Sequence, residues 1–243
     1  AIIGRQIDER LIHHIFPDAD LEIWLYLGQV LALFEVQDNI WQFSHDKLRE
    51  TLLSTIPRHE QVHLHYMVAL EIENAYSNDE AYYAILLEHW HQAGELDKEI
   101  HYHNYVAEDL IDVRSNYEHA QRLLEQTLSK LPQDDGRRVA LWNLQALAYW
   151  QQYKFSEAES ILLDAYELAK CLDDVEGIAN SLGNMGLVAS YQGRAVDAEN
   201  YLHKSLALYR LTNHETEIAL ILMRLGSLCY DRREFVQAKD FFE

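Results

Sequence analysis

Histidine is the side chain of this 243-residue sequence best suited to chemistry, and there are 13 of them. His59 and His63 stand four apart, which puts both rings on one helix face and permits bidentate capture of a metal ion. His89/His91 and His101/His103 stand two apart, an interval that sends helical side chains to roughly opposite sides. No His-Glu-x-x-His run completes a zinc site, so these read as structural or surface histidines. The pairs Asp134-Asp135 and Asp173-Asp174 fall at expected loops and helix ends, where solubility and capping account for them. A general acid–base pair needs one carboxyl in an apolar site, and nothing in the pattern supplies one. Ser44 and Ser181 lack the strand–turn–helix elbow of an activated nucleophile. No Gly-x-x-x-x-Gly-Lys-[Ser/Thr] run cradles a phosphate. The expectation is a non-catalytic chain with no catalytic residues, no metal site and no cofactor of its own.

The pattern that remains is a repeat. Ala146, Gly186 and Gly226 recur at an interval of 40 residues, and so do Ala158, Ala198 and Ala238. Phe155, Ala195 and Phe235 keep the same step, as do Leu162, Leu202 and Phe242. In each stretch a small residue is followed 12 later by Ala and, 4 after that, by a large apolar side chain. This is how a helix pair reads when two backbones approach closely at two points and are wedged apart at a third. A fixed period of this size means stacked units, none able to bury its apolar face alone. Such stacks present a surface that binds something.

Composition agrees. Hydrophobic residues make up 49%, enough for a continuous core, and the 3 Pro and 9 Gly leave long helices uninterrupted. Leu, Ala, Glu and Tyr dominate, favouring helix over sheet. The formal charge of −20 repels phosphate backbones and anionic headgroups, so a protein or peptide partner is expected, and neither nucleic acid nor membrane. The acidity is spread out: residues 1–57 carry a net −5 and the remainder −15. Cys171 and Cys229 cannot form a disulfide framework or a four-thiolate metal site. With no signal peptide, no run of 18 apolar residues and no lipidation motif, a reducing cytoplasm is the simplest compartment. The chain begins at Ala1 and stops at Glu243 inside an expected helix, so it reads as a piece of something longer.

The elements that must position any site follow from periodicity. Residues 6–16 read as a short helix stopped before Pro17, and Asp20 to Leu33 as a second. Phe34–Val36 and Ile40–Phe43 flank Asp38-Asn39, a two-strand wing with a tight turn. Ser44 is a candidate N-cap for the next helix, which ends before Pro57. Beyond Arg58 there is no strand signal. Ser77/Glu80 and Ser115/Glu118 have capping-box spacing, and Gly94 ends the helix holding Leu86, Leu87 and Trp90. Helices are expected over about 59–75, 96–113, 116–131, 137–151, 155–171, 175–191, 195–211, 215–231 and from 235, with Pro132 to Arg138 the most loop-like stretch. Short linkers imply antiparallel neighbours.

The regular half resembles the tetratricopeptide repeat (TPR). Its first-helix slots hold Trp142, Ala146 and Tyr149, its second-helix slots Ala158 and Leu162. The next unit has Leu182, Gly186, Ala198 and Leu202, the last Leu222, Gly226, Ala238 and Phe242. Residues 116–132 look like one more second helix through Tyr117, Ala120, Leu124 and Pro132. The first part, about 1–110, is similar to the region that follows the nucleotide-binding domain of STAND-type signalling ATPases. The residues carrying that likeness are Ile3-Gly4-Arg5, Phe43-Ser44-His45-Asp46-Lys47-Leu48-Arg49-Glu50, His63-Leu64-His65 and His89-Trp90-His91-Gln92-Ala93-Gly94.

These resemblances imply sites. First helices of such repeats line the concave side, which places Asn143, Asn180, Asn184 and Arg224 on a partner-binding groove. Asn amides can serve a peptide's C=O and N–H together, and Arg224 can take a carboxylate. Neither Asn184 nor Arg224 is expected in the core. The STAND likeness makes His45 a candidate sensor of nucleotide phosphates, helped by a nearby helix N-terminus and dependent on an upstream domain. The competing reading is that His45 and Asp46 only cap their own helix.

The fold expected is all-α: an antiparallel helix-pair (TPR-like) right-handed superhelix behind a small winged-helix-like module. The expected divisions are 1–57, 58–132 and 133–243. The expected role is the regulatory, protein-binding arm of a larger cytoplasmic STAND-type ATPase, with ATP or ADP bound only by the full-length protein. A free-standing TPR adaptor is the alternative.

Overall fold

Asp8 and Asp20 start the first two helices of the chain, each carboxylate accepting from a backbone N–H three residues on (Leu11 N at 3.0 Å, Ile23 N at 3.1 Å). They open α1 (Glu9–Ile15) and α2 (Leu21–Val30). In this computed structural model, residues 1–38, 40–76, 79–113 and 115–242 are described. They form two compact units, Ala1–Val106 and Ala107–Glu243.

In the first unit α2 leads into β1 (Phe34–Gln37) and β2 (Ile40–Phe43), an antiparallel pair with Phe34 opposite Phe43. The helix–helix–hairpin–helix order is the one expected, although Asn39 of the proposed turn lies outside the described residues. Phe34 packs so closely on α2 that a Cβ on Gly28 would lie 2.0 Å from its ring. Ser44 does not cap the next helix. Its hydroxyl donates to Ala32 O (2.6 Å) and Leu33 O (3.2 Å), tying the end of the hairpin to the turn after α2. The N-cap of α3 (Asp46–Thr55) is His45.

α4 (Arg58–Ala75), α5 (Tyr83–Ala93) and the start of α6 (Leu96–Asp112) complete this unit. Gly94 ends α5 at φ +78, the left-handed geometry that favours glycine. The core joins Leu11 of α1 to Val68 and Ile72 of α4, Leu86 and Trp90 of α5, and Tyr102 of α6. Glu73 fastens it by accepting from Trp90 Nε1 (3.2 Å), Tyr102 Oη (2.7 Å) and Lys98 Nζ (2.9 Å). Ser77 lies outside the described residues, and Asp79 caps the 3₁₀ turn Glu80–Tyr82.

The second unit is helical among its described residues. α7 (Tyr117–Lys130) is capped by Asn116, which accepts from His119 N; Ser115, the expected cap, sits at φ +50 just before it. Then come α8 (Arg137–Gln151), α9 (Phe155–Cys171), α10 (Val175–Tyr191), α11 (Ala195–Thr212), α12 (Glu215–Asp231) and α13 (Phe235–Phe242). A six-residue linker joins α7 to α8, and from α8 onward linkers of two or three residues fold each helix back on its predecessor. The linkers after α8, α10 and α12 share one conformation. Tyr153, Gly193 and Arg233 occupy the same left-handed corner at φ +61, +75 and +64.

The 40-residue period has a packing cause. A Cβ on Gly186 would lie 2.7 Å from Leu202 Cγ, and one on Gly226 2.6 Å from Phe242. The large residue of each unit therefore occupies the room its small residue leaves, and does not wedge the helices apart. Ala146 and Leu162 share one cluster with Ala158 in the first unit of the series. Ala158, Ala165, Ala179, Ala189 and Ala198 are at most 1% exposed, which marks the close helix crossings. Among the described residues no helix is long and apolar enough to cross a membrane.

Candidate functional site

The first helices α8, α10 and α12 carry the four proposed groove residues, and hydrogen bonds join all four. Arg224 Nη1 donates to Asn184 Oδ1 (3.2 Å). Asn184 Nδ2 donates to Asn143 Oδ1 (2.9 Å) and to Asn180 Oδ1 (3.1 Å). Asn143 Nδ2 donates to Val139 O (2.9 Å) and Ser181 Oγ (3.0 Å). The ladder runs through three helices without a gap.

Its members differ in access. Asn143 is 2% exposed and Asn184 3%, so Asn184 lies in the core, contrary to the expectation of a solvated groove position. The reason is hydrogen-bond accounting: both Asn184 donors and its acceptor are taken by neighbours, which makes burial affordable. Asn180 is exposed and Arg224 half-buried. Gly183 makes the space for that arginine, since a Cβ there would lie 3.4 Å from Nη1 and 2.8 Å from Ile221 Cδ1. Burial pushes the Arg224 guanidinium down to about 10, still charged at neutral pH. Among the described residues no carboxylate pairs with it. A cation is thus held on a neutral amide at the mouth of an amide cluster, in a strongly acidic chain.

Two further residues take part in this packing. Ser181, whose sequence context offers no nucleophile elbow, is wholly buried and accepts from Asn143. Arg138, 7% exposed, donates to Leu128 O and Leu131 O (both 2.9 Å) and lies 4.7 Å over the Trp142 ring. It satisfies carbonyls at the end of α7 and so sets α7 against α8. A polar residue inside an otherwise small and apolar helix face was the available signal for Ser181.

In the first unit His45 sits at the N-cap of α3, exposed, and makes no side-chain capping bond. Asp46 faces Arg5 at 3.5 Å. His59 is exposed beside Glu60, and among the described residues no three His, Cys, Asp or Glu side chains gather for a metal. The histidines that do meet are His65 of α4 and His89 of α5, with Nδ1 atoms 2.9 Å apart. Burial lowers His89 to about 4 and also lowers His65. Cys229 is buried and Cys171 exposed, far apart in the repeat order.

Comparison with known proteins places the repeats. Residues 137–210 match the family model of the tetratricopeptide repeat. No curated protein matches the chain. Among solved structures it is similar to BtubC (BKLC) from P. vanneervenii, at 20% identity over 96% of this chain and 89% of that one, TM-score 0.53. It is also similar to a Rap protein complexed with competence and sporulation factor, at 17% identity, 97% of this chain and TM-score 0.53. A STAND protein with a TPR sensor from Pyrococcus horikoshii aligns at 13% identity, 97% of this chain and TM-score 0.47. This chain spans 65% of the Rap protein and 47% of the STAND protein. With the first two it shares the all-α TPR-like fold.

Proposed function

We propose that this TPR chain is the non-catalytic, regulatory arm of a larger cytoplasmic STAND-type signalling ATPase. Its repeats receive a peptide or protein at the face bearing Asn180 and Arg224, which buried Asn184 supports from beneath. The observation that carries the binding role is the Arg224–Asn184 pair: a half-buried guanidinium, held by an amide and matched by no carboxylate among the described residues. A ligand would meet exposed Asn180 and the remaining guanidinium donors. The Asn143–Ser181 end would hold the helices that present them.

A ligand drawn onto this ladder bears on α8, α10 and α12 together, because each contributes a link. That gives a mechanical basis for an input sensor. A Rap protein of similar fold was solved with a competence and sporulation factor, which accords with a signalling factor as partner. The ATPase part of the reading rests on the sequence likeness of residues 1–110. It is supported by an exposed His45 at a helix start, its ring not spent on capping.

Two experiments test the two parts. Peptide arrays probed with this chain and with Arg224→Gln should show spots lost in the variant; an identical pattern removes the groove assignment. In the full-length protein, His45→Ala should change the rate of nucleotide exchange. An unchanged rate, or a full-length sequence without a P-loop, ends the ATPase reading.

A further inference from the structure

The corner linking the two helices of a repeat recurs three times with the same backbone and different residues. The N–H groups of Tyr153, Gly193 and Arg233 each bond the carbonyl three residues back, at 2.9 Å in every case. The next residues, Lys154, Arg194 and Glu234, each bond the carbonyl five back at 2.9–3.0 Å. The conformation at the corner is left-handed, which glycine adopts freely and a Cβ-bearing aromatic does not. Only the middle corner uses glycine.

Tyr153 takes that penalty although its side chain is 75% exposed and touches the fold through an edge contact with Phe155. Strain retained at an exposed side chain points to a use outside the folded core. Its surroundings show what use. Phe155 lies 6.1 Å from it and Tyr191 of the adjoining repeat 6.4 Å from Phe155; Tyr191 and Tyr230 are 58% and 60% exposed. Lys154 follows Tyr153 in the first corner, and Arg233 holds the position of Tyr153 in the third corner. Both are exposed, and among the described residues neither pairs with a carboxylate. The neighbouring Arg194 and Arg232 are bound by Glu159 and Glu199. Lys154 Nζ donates to Gln152 Oε1 (2.9 Å) and lies over the Tyr149 ring, so its charge is not neutralised. In a chain of net charge −20, such cations beside exposed aromatics give an acidic partner a place to bind.

We infer that this corner edge is a second interaction surface, separate from the Arg224 face, and that it takes an acidic polypeptide segment carrying an aromatic or large apolar side chain. The rings take the apolar side chain, while Lys154 and Arg233 take its flanking carboxylates.

The test is selection of short phage-displayed random peptides on this chain, with binding of each enriched peptide then measured by fluorescence anisotropy. Peptides combining acidic and aromatic residues should be enriched. They should bind Lys154→Glu/Arg233→Glu and Tyr153→Gly at least roughly tenfold more weakly, and Arg224→Gln with unchanged affinity. Tyr153→Gly suits the backbone of its corner and should raise the melting temperature, so its loss of binding is not loss of fold. The proposal is overturned if nothing is enriched, if the peptides lack acidic residues, or if the charge-reversed chain binds as well. Loss in Arg224→Gln would assign the peptides to the other face. Sedimentation showing a dimer that Tyr153→Gly dissolves would make the occupant a second copy, which also overturns it.

Discussion

Leu202 lies where a methyl group on Gly186 would stand: Cγ would be 2.7 Å and Cδ2 2.8 Å from it, with Ala198 O at 3.3 Å. The glycine is therefore a packing residue, in a mid-helix position where its own propensity is unfavourable. Gly186→Ala should gain some helix propensity and still lose about 1–3 kcal/mol to overpacking. Leu202→Ala on that background should recover part of the loss, because the two residues share one space. A urea double-mutant cycle measures this. Additive effects would show that Gly186 is not reserved for Leu202.

Much of this was legible because period and punctuation are local. The start and end of α8, α9, α10 and α12 follow from the 40-residue step, the Gly and Asp positions and the apolar stripe. The hairpin is legible from alternating strands around a polar turn. What the sequence hid is partnership at long range. Ser44 has the type and position of an N-cap, but its hydroxyl donates to carbonyls 11 and 12 residues back. Asn116, not Ser115, caps α7, and Ser115 sits at φ +50 one residue before that cap. The groove residues were identified as a set, yet the burial of Asn143 and Asn184 depends on bonds across 38 to 41 residues that no spacing rule encodes. His65 and His89 meet only because α4 packs on α5.

Asn184 should behave as a core residue. Asn184→Ala removes the acceptor of Arg224 and the donor to Asn143 Oδ1, leaving a buried amide oxygen without its partner. The expected loss is about 2 kcal/mol, in the range for an orphaned buried polar group. Arg224→Gln should cost less, about 1 kcal/mol, because it takes the donor from Asn184 Oδ1 but leaves the Asn184–Asn143 amide pair intact. Chemical denaturation of both variants decides the matter. Equal and small losses would mean that the ladder contributes nothing to the fold.

Arg138 is expected to matter more than its place at the start of a helix suggests. Its Nη1 satisfies the carbonyls of Leu128 and Leu131 from within the core. Arg138→Met keeps the stem that packs near Trp142 but removes the donors. The loss should be about 2–3 kcal/mol, accompanied by faster amide exchange in the last turn of α7. Unchanged protection there would refute the clamp between α7 and α8.

The His65–His89 contact should make the first unit sensitive to mild acid. Both imidazoles are held neutral by burial, with Glu88 opposing and Arg58 adding to the effect at His65. An unfolded histidine takes its proton near pH 6.5, whereas folded His89 waits until about 4. Between those values the unfolded state binds the extra proton. Stability is therefore complete above pH 6.5 and falls as the pH drops toward 4, by about 3 kcal/mol in all. His89→Gln should flatten the dependence between pH 6.5 and 4.5 by about 1.4 kcal/mol per pH unit, whatever it does to stability at pH 7. Urea midpoints across that window test the point. A variant with the parent's slope would show that His89 protonates freely in the folded protein, and that its contact with His65 is no obstacle to charge.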